Sequence, residues 1–190
     1  MSKIYTISDL HFQNENIIKY SNRPFLNARH QTDQLIQNWN FRVDHHDTVI
    51  VVGDFIMGQA SNVVDILYRL NGNIILVRGN HDTDAKLAIY AEHPHKITVK
   101  DIHYMQRGGL WFTFCHFPII HPQFAEMVFR DNSEVIWVHG HVHDKCPFFT
   151  PDTHSFNVSC EMTDYYPVDI SRLYHMVKDD FVEKGVWKGN

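Results

Sequence analysis

Aspartate, asparagine and histidine residues directly follow five short apolar runs of the chain. Their mixture of oxygen and nitrogen donors suits Mn²⁺, Fe, Zn²⁺ or Ni²⁺ better than the all-oxygen sites of Mg²⁺ and Ca²⁺. Seven ligands exceed the four of a tetrahedral zinc site. They fit two ions about 3.5–4 Å apart that share a ligand, an arrangement used for phosphoryl chemistry. We therefore predict a cofactor of two divalent transition-metal ions, with manganese favoured, held by Asp9, His11, Asp54, Asn80, His116, His141 and His143.

The spacing within these motifs supports a common site. Asp9 and His11 are two residues apart, as are His141 and His143. Residues with this spacing project to the same side near the end of an extended strand. Glycines at positions 53, 79 and 140 each precede a candidate ligand, and they fit sharp turns that bring backbone close to the ions. The chain has 15 histidines among 190 residues, so chance placement is the alternative, which the order of the motifs disfavours.

Alternating strands and helices are expected to position these residues. Strands are predicted at 3–8, 48–52 and 74–77, and helices at 14–20, 32–43 (with Thr32 as N-cap), 62–70 and 84–92. The second half favours hairpins, with strands predicted within 96–106 and at 110–115, 135–138 and 155–160. A short helix is predicted at 124–130, and the segment at 170–178 suits a helix better than a strand. Because the carboxyl ends of parallel strands meet at one edge, the candidate ligands are expected to converge there.

The five motifs in this order resemble those of the calcineurin-like metallophosphoesterase superfamily. They are Asp-x-His at 9–11, Gly-Asp at 53–54, Gly-Asn-His-Asp at 79–82, the lone His116, and Gly-His-x-His at 140–143. Together they span about three quarters of the chain. The segments at 22–25 and 35–40 look like a compact bacterial and phage branch of predicted phosphoesterases.

The resemblance implies an α/β fold, a four-layer α/β/β/α sandwich of two mixed sheets. It implies that Asp9, His11 and His143 hold one ion, that Asn80, His116 and His141 hold the other, and that Asp54 bridges them. In the family a water or hydroxide between the ions attacks phosphorus in line. His81 would face the scissile phosphate as a general acid or charge stabiliser and would not be a ligand.

Two departures from the family pattern bear on the substrate. Protein-phosphatase members continue the Gly-Asp motif with an Asp and a phosphate-gripping Arg, where this chain has Met57 and Gly58. Related small members carry a histidine where this chain has Asn14, which becomes a candidate substrate contact. Arg23 is a second candidate, because a guanidinium forks onto phosphate oxygens, with a surface ion pair as the alternative. The expected substrate is a small phosphodiester, such as a nucleotide or cyclic nucleotide.

Length and charge exclude several other classes. One domain, residues 1–190, fits the length, and the composition is that of a globular chain. The net charge of −5 disfavours nucleic acid as a partner, and no apolar run is long enough to span a membrane. Three cysteines and no signal-peptide pattern lead us to expect a cytoplasmic enzyme. A catalytically inactive metal-binding scaffold of the same fold and a nuclease remain the alternatives.

Overall fold

Two five-stranded mixed sheets lie at the centre of the structure, a computed structural model that describes residues 2–119 and 135–185. The first-sheet strands and their connecting helices are β1 (Ile4–Ile7), α1 (Glu15–Tyr20), α2 (Ala28–Arg42), β2 (Thr48–Val51), α3 (Ala60–Arg69), β3 (Asn73–Val77), α4 (Asp84–Ala91) and β4 (Ile97–Lys100). The remaining elements are β5 (His103–Arg107), β6 (Leu110–Phe114), β7 (Val135–His139), β8 (Phe149–Thr150), β9 (Ser155–Asn157), β10 (Val168–Asp169) and α5 (Ile170–Glu183). Short 3-10 helices lie at His143–Lys145 and Cys160–Thr163.

The first sheet has the strand order β10-β1-β2-β3-β4. Strands β1 to β4 are parallel, and β10 pairs antiparallel with β1. The register pairs Ile7 with Val51 and Val51 with Leu76, so the carboxyl ends of these strands are level. The loops that follow β1, β2 and β3 therefore start at the same edge of the sheet.

The second sheet has the order β5-β6-β7-β9-β8. Strands β6, β7 and β9 are parallel, while the edge strands β5 and β8 are antiparallel to their neighbours. The two sheets meet at their carboxyl edges, where the Ser8 amide donates to the Val158 carbonyl and the Cys160 amide donates to Ser8. This junction places the ends of β1, β7 and β9 beside one another.

Two apolar clusters hold the layers together. Val49, Val51 and Leu76 pack with residues of α2 and α3 on one face of the first sheet. Alternate residues of the same strands, such as Ile50 and Val77, pack in a second cluster with the second sheet and α5. Because both faces of β2 and β3 are covered, these strands are almost entirely apolar. The predicted fold class, with two mixed sheets and flanking helices, is confirmed.

Several predicted boundaries differ from the structure. Helix α2 begins four residues earlier than expected, because the Asn27 side chain accepts the His30 amide and acts as the N-cap. Thr32 is instead a helix residue whose hydroxyl accepts the Gln13 amide. The alternating run at 96–106 divides into β4 and β5, which belong to different sheets. The segment from 170 is a helix, and the helix predicted at 124–130 lies outside the described residues.

Within the described parts of the chain, no helix has the length and apolar character needed to cross a membrane.

Candidate metal centre

The structure brings all seven predicted ligand residues together at the shared edge of the two sheets. On one side, His143 Nε2 lies 3.8 Å from Asp9 Oδ1, and His11 Nε2 lies 3.9 Å from the same oxygen. On the other side, Asn80 Oδ1 lies 3.0 Å from both His116 Nε2 and His141 Nδ1. Ligand atoms bound about 2 Å from one ion are separated by about 3 to 3.5 Å. The separations on both sides are close to that range.

Asp54 connects the two sides. Its Oδ2 lies 3.6 Å from His11 Nε2 and 3.5 Å from His116 Nε2. The Asp54 side chain is almost entirely buried between these two imidazoles. One carboxylate oxygen is thus placed between two groups of nitrogen donors, which is the position that a ligand shared by two ions requires.

Buried polar atoms without partners support metal binding. Asp9 Oδ1 and both ring nitrogens of His11 are buried and make no hydrogen bond among the described residues. An unpartnered polar atom in the interior costs free energy unless a ligand or water satisfies it. The other Asp9 oxygen, Oδ2, accepts hydrogen bonds from the His141 amide and the Ser159 hydroxyl. These bonds fix the carboxylate and leave Oδ1 available for a ligand. These atoms fit a divalent cation.

Five of the seven ligands have a left-handed backbone. The φ angles are 56° at Asp9, 46° at His11, 53° at Asp54, 70° at His141 and 50° at His143. This region is strained for residues with a Cβ atom and is concentrated at functional sites in proteins. The turns that follow β1, β2 and β7 therefore have an unusual conformation that aims several side chains at one point.

The glycines of the motifs make room for the side chains of candidate ligands. A Cβ atom at Gly53 would meet the His116 ring, and one at Gly140 would meet the Asp9 carboxylate. A Cβ atom at Gly79 would meet Asp54, at both its side chain and its backbone nitrogen. Each glycine leaves space for a candidate ligand from another strand end, so the expected close approach of backbone is to these side chains.

Replacing Gly79 with alanine is expected to displace Asp54 and weaken metal binding about tenfold, as alteration of supporting residues often does. The φ angle of Gly79 is not in the left-handed region, so the effect is steric. Gly58→Ala is the matched control, because the three atoms nearest to its Cβ would all belong to the Gln13 side chain and none to a candidate ligand. Mn²⁺ titration of both variants measures the effect, and equal affinities would contradict the role of Gly79.

Burial and charge set the protonation of the ligands. Burial lowers the pKa of His11 to about 3, so its imidazole is neutral at pH 7. Burial alone would raise the pKa of Asp54, but the hydrogen bond and charge of His116 outweigh it and lower the value to about 2. Burial opposes the charged form of His116, yet Asp54 and Asp9 raise its pKa to about 8. Without ions, His116 is therefore cationic at neutral pH and must lose a proton before it can bind metal.

The two residues after Asn80 have separate functions. The His81 amide donates to Asp54 Oδ1, and its exposed ring lies 5.6 Å from the His11 ring, centroid to centroid. Its ring nitrogens have no partner within the described chain. Asp82 is buried, and its carboxylate accepts the amides of Asp54, Phe55 and Gly79. Asp82 thus fixes the turn after β2 against the turn after β3, while the His81 ring is free to reach a substrate.

Arg23 does not have the geometry of a substrate contact. Its side chain is fully buried, and all five of its N–H groups are used. They donate to Glu161, to the carbonyl oxygens of Asp9 and Leu10, and to Gln31. No donor remains to fork onto a phosphate. The prediction that Arg23 contacts substrate is therefore wrong, and its role is structural. The alternative of a surface ion pair is also wrong, because the pair with Glu161 is buried.

Glu161 is a residue of the site that the sequence interpretation missed. Its Oε1 accepts a hydrogen bond from His143 Nδ1 at 2.9 Å and pairs with Arg23 at 2.7 Å. Burial would raise the pKa of Glu161, but His143 and Arg23 lower it to about 2, so it is ionised. The signal was available, because Glu161 follows the run at 155–160, just as the candidate ligands follow theirs.

An open cleft of about 510 Å³ extends from the centre along α1. Asn14 lines it, and its Oδ1 also caps α1 by accepting the amides of Asn16 and Ile17. Tyr20 lies in its wall with 83% of its surface exposed. Among the described residues no lysine or arginine lines the cleft, whose walls are His11, Gln13, Asn14, Glu15, Asn16, Ile17, Tyr20, Met57, His81 and His143. The cleft is thus suited to an uncharged organic group beside the centre.

Comparisons with known proteins agree with this architecture. The chain matches the family model of the calcineurin-like phosphoesterase superfamily domain over residues 2–158. It is 35% identical over 184 residues to the uncharacterized protein MJ1445 of Methanocaldococcus jannaschii, covering 94% of this chain and 93% of that protein. The solved structure of AQ665, a protein of unknown function from Aquifex aeolicus, has a TM-score of 0.73 at 22% identity and covers 93% of this chain and 100% of its own.

A structure described as a novel archaeal phosphodiesterase shares the fold with a TM-score of 0.52 at 21% identity, over 84% of this chain and 85% of its own. The family match extends over most of the chain and includes all the strand ends that carry the candidate ligands. The chain belongs to the calcineurin-like phosphoesterase superfamily.

Proposed function

We propose that the chain is a phosphodiesterase that uses two divalent transition-metal ions to hydrolyse a small phosphodiester. The observation that carries this proposal is the continuous series of donor atoms on both sides of Asp54. Asp9, His11 and His143 would hold one ion, and Asn80, His116 and His141 the other, as the family resemblance implies. Manganese is the favoured metal, and Fe, Zn²⁺ and Ni²⁺ suit the same donors.

Completeness of the site favours an enzyme over an inactive scaffold. All seven ligand positions hold residues that can bind metal, and His81 is exposed in the cleft beside them. A scaffold needs no proton donor at that position. The archaeal phosphodiesterase of the same fold lends further support to this reaction class.

Ions bound in the centre would activate a water molecule and neutralise the phosphate oxygens. The chain's own contribution is positioning and proton transfer. Asp54 and Asp82 fix the turn that carries His81. The His81 ring, which has no other partner among the described residues, would protonate the leaving oxygen.

The charge of the cleft favours a diester over a monoester. A monoester carries about −1.5 to −2 charges at neutral pH and calls for cationic side chains around the ions. All donors of Arg23 bind buried partners, Gly58 stands where the protein-phosphatase members have the phosphate-gripping Arg, and no lysine or arginine lines the described cleft. A diester carries a single negative charge, and its organic leaving group fits beside Asn14 and Tyr20. A cyclic nucleotide or a dinucleotide has these properties.

Bis(p-nitrophenyl) phosphate is expected to be hydrolysed with a higher kcat/KM than p-nitrophenyl phosphate. Both esters release the same chromophore, so the two rates are compared for one leaving group. The assay is run with Mn²⁺, Ni²⁺, Zn²⁺ and Mg²⁺ separately and extended to cyclic nucleotides and dinucleotides. A clear monoester preference would overturn the proposed substrate class. Hydrolysis of neither ester by protein loaded with two ions would favour the scaffold.

A further inference from the structure

Side-chain donors hold the left-handed turn that follows β1. Arg23 Nη2 donates to the Asp9 carbonyl at 2.6 Å, and Nη1 donates to the Leu10 carbonyl at 3.0 Å. Gln31 Nε2 donates to the His11 carbonyl at 3.0 Å. Because these carbonyls lie in an irregular buried turn, they have few backbone partners, and the donors satisfy them. The positions of Asp9 and His11 therefore depend directly on Arg23 and Gln31.

Glu161 extends this support to a third ligand on another loop. Its Oε1 accepts from Arg23 Nε at 2.9 Å and Arg23 Nη2 at 2.7 Å, and from His143 Nδ1 at 2.9 Å. The side chain of Arg23 is 0% exposed and that of Glu161 is 5% exposed. Charged hydrogen bonds in such an environment are short and directional. One ion pair thus touches the turns after β1 and β7.

The contact with Glu161 also determines which nitrogen of His143 faces the centre. A carboxylate can only accept, so Nδ1 carries the hydrogen, and in the neutral imidazole Nε2 then has the lone pair. Nε2 is the atom that lies 3.8 Å from Asp9 Oδ1. The other side of the centre is supported differently, since His116 Nδ1 donates to the Val52 carbonyl. Neither Arg23 nor Glu161 has a hydrogen bond to Asn80, His116 or His141 in the described structure.

We propose that Arg23 and Glu161 are a positioning pair that organises one ion position, that of Asp9, His11 and His143, more than the other. This inference rests on the proposed two-ion centre. Glu161 is then a positioning residue that controls the affinity of one ion. The ligands of the second ion are held by other contacts, such as that of His116 with the Val52 carbonyl. Neither Arg23 nor Glu161 touches the substrate.

Mn²⁺ titration calorimetry of Glu161→Gln tests the proposal. One of the two binding events is expected to weaken about 10- to 100-fold, as is typical when a partner of a ligating histidine is lost, while the other changes less than about twofold. Asp180→Asn is the matched control, because Asp180 also pairs a partly buried carboxylate with a histidine, His154, which precedes β9 at the opposite end from the site. Two unchanged events, or two equally weakened ones, would overturn the proposal.

A second readout needs no metal and no activity. The proton on His143 Nδ1 is expected to give a low-field NMR resonance in metal-free protein, absent from His143→Gln and lost or shifted upfield in Glu161→Gln. A wild-type spectrum without that resonance would count against the pair. If Glu161→Gln leaves Arg23 unpaired and prevents folding, Arg23→Met combined with Glu161→Gln removes both charges and should weaken the same binding event. Wild-type protein that binds no ion, yet shows the resonance, would contradict the proposed function and not the pairing.

Discussion

Removal of divalent ions by chelation is expected to reduce hydrolysis of bis(p-nitrophenyl) phosphate to the uncatalysed background. No lysine or arginine lines the described cleft, so metal-free protein would lack the activated water and the charge compensation that two divalent ions supply. Elemental analysis of the loaded protein should give two ions per chain. Addition of Mn²⁺ to the stripped protein should restore the rate.

The same treatment should lower the melting temperature. Asp9 Oδ1 and the His11 nitrogens have no described hydrogen-bond partner, and ligands that bind only the folded state stabilise it. Differential scanning calorimetry before and after addition of Mn²⁺ measures this shift. Saturation at one ion per chain would count against the shared Asp54, and undiminished hydrolysis by protein shown to be free of metal would exclude the proposed chemistry.

His81→Ala is expected to reduce kcat on the order of 10²-fold or more while the protein still binds two ions. Loss of a positioned proton donor has effects of this size. The loss should be smaller for bis(p-nitrophenyl) phosphate, whose leaving group needs little protonation, than for a nucleoside diester with an alkoxide leaving group. This dependence on the leaving group separates proton donation from simple stabilisation of charge.

His175→Ala serves as the control, because His175 is an exposed histidine of α5. It should leave rate and metal content unchanged. A loss of bound metal in His81→Ala that parallels the loss of rate would make His81 a ligand and contradict the role given to it here.

The convergence of the ligands could be predicted from the sequence because it depends on local signals. Each candidate ligand follows an apolar run, and the parallel order of the strands brings their ends to one edge. The motif glycines were also recognisable, although the structure shows that they make room for ligand side chains such as that of Asp54 at Gly79. These features can be predicted because each depends only on residues that are close in the sequence.

The supports of the site could not be predicted in the same way. Arg23 and Glu161 are 138 residues apart, and their pairing exists only after both sheets have come together. Arg23 has the residue type of a phosphate contact, and nothing near it in the sequence indicates that its donors point inward. The start of α2 differs from the prediction for a local reason, because the side chain of Asn27 and not that of Thr32 caps the helix.

The left-handed backbone at five of the seven ligands has an evolutionary consequence. A residue with a Cβ atom costs on the order of 1–2 kcal/mol in this conformation, and glycine avoids that cost. Selection for stability alone would therefore drive positions such as Asp9, His11 and Asp54 towards glycine or asparagine. Aspartate and histidine at these positions are what the proposed metal binding requires, since natural chains trade stability for activity at such sites. A descendant that no longer needed the ions would gain stability by losing these residues first.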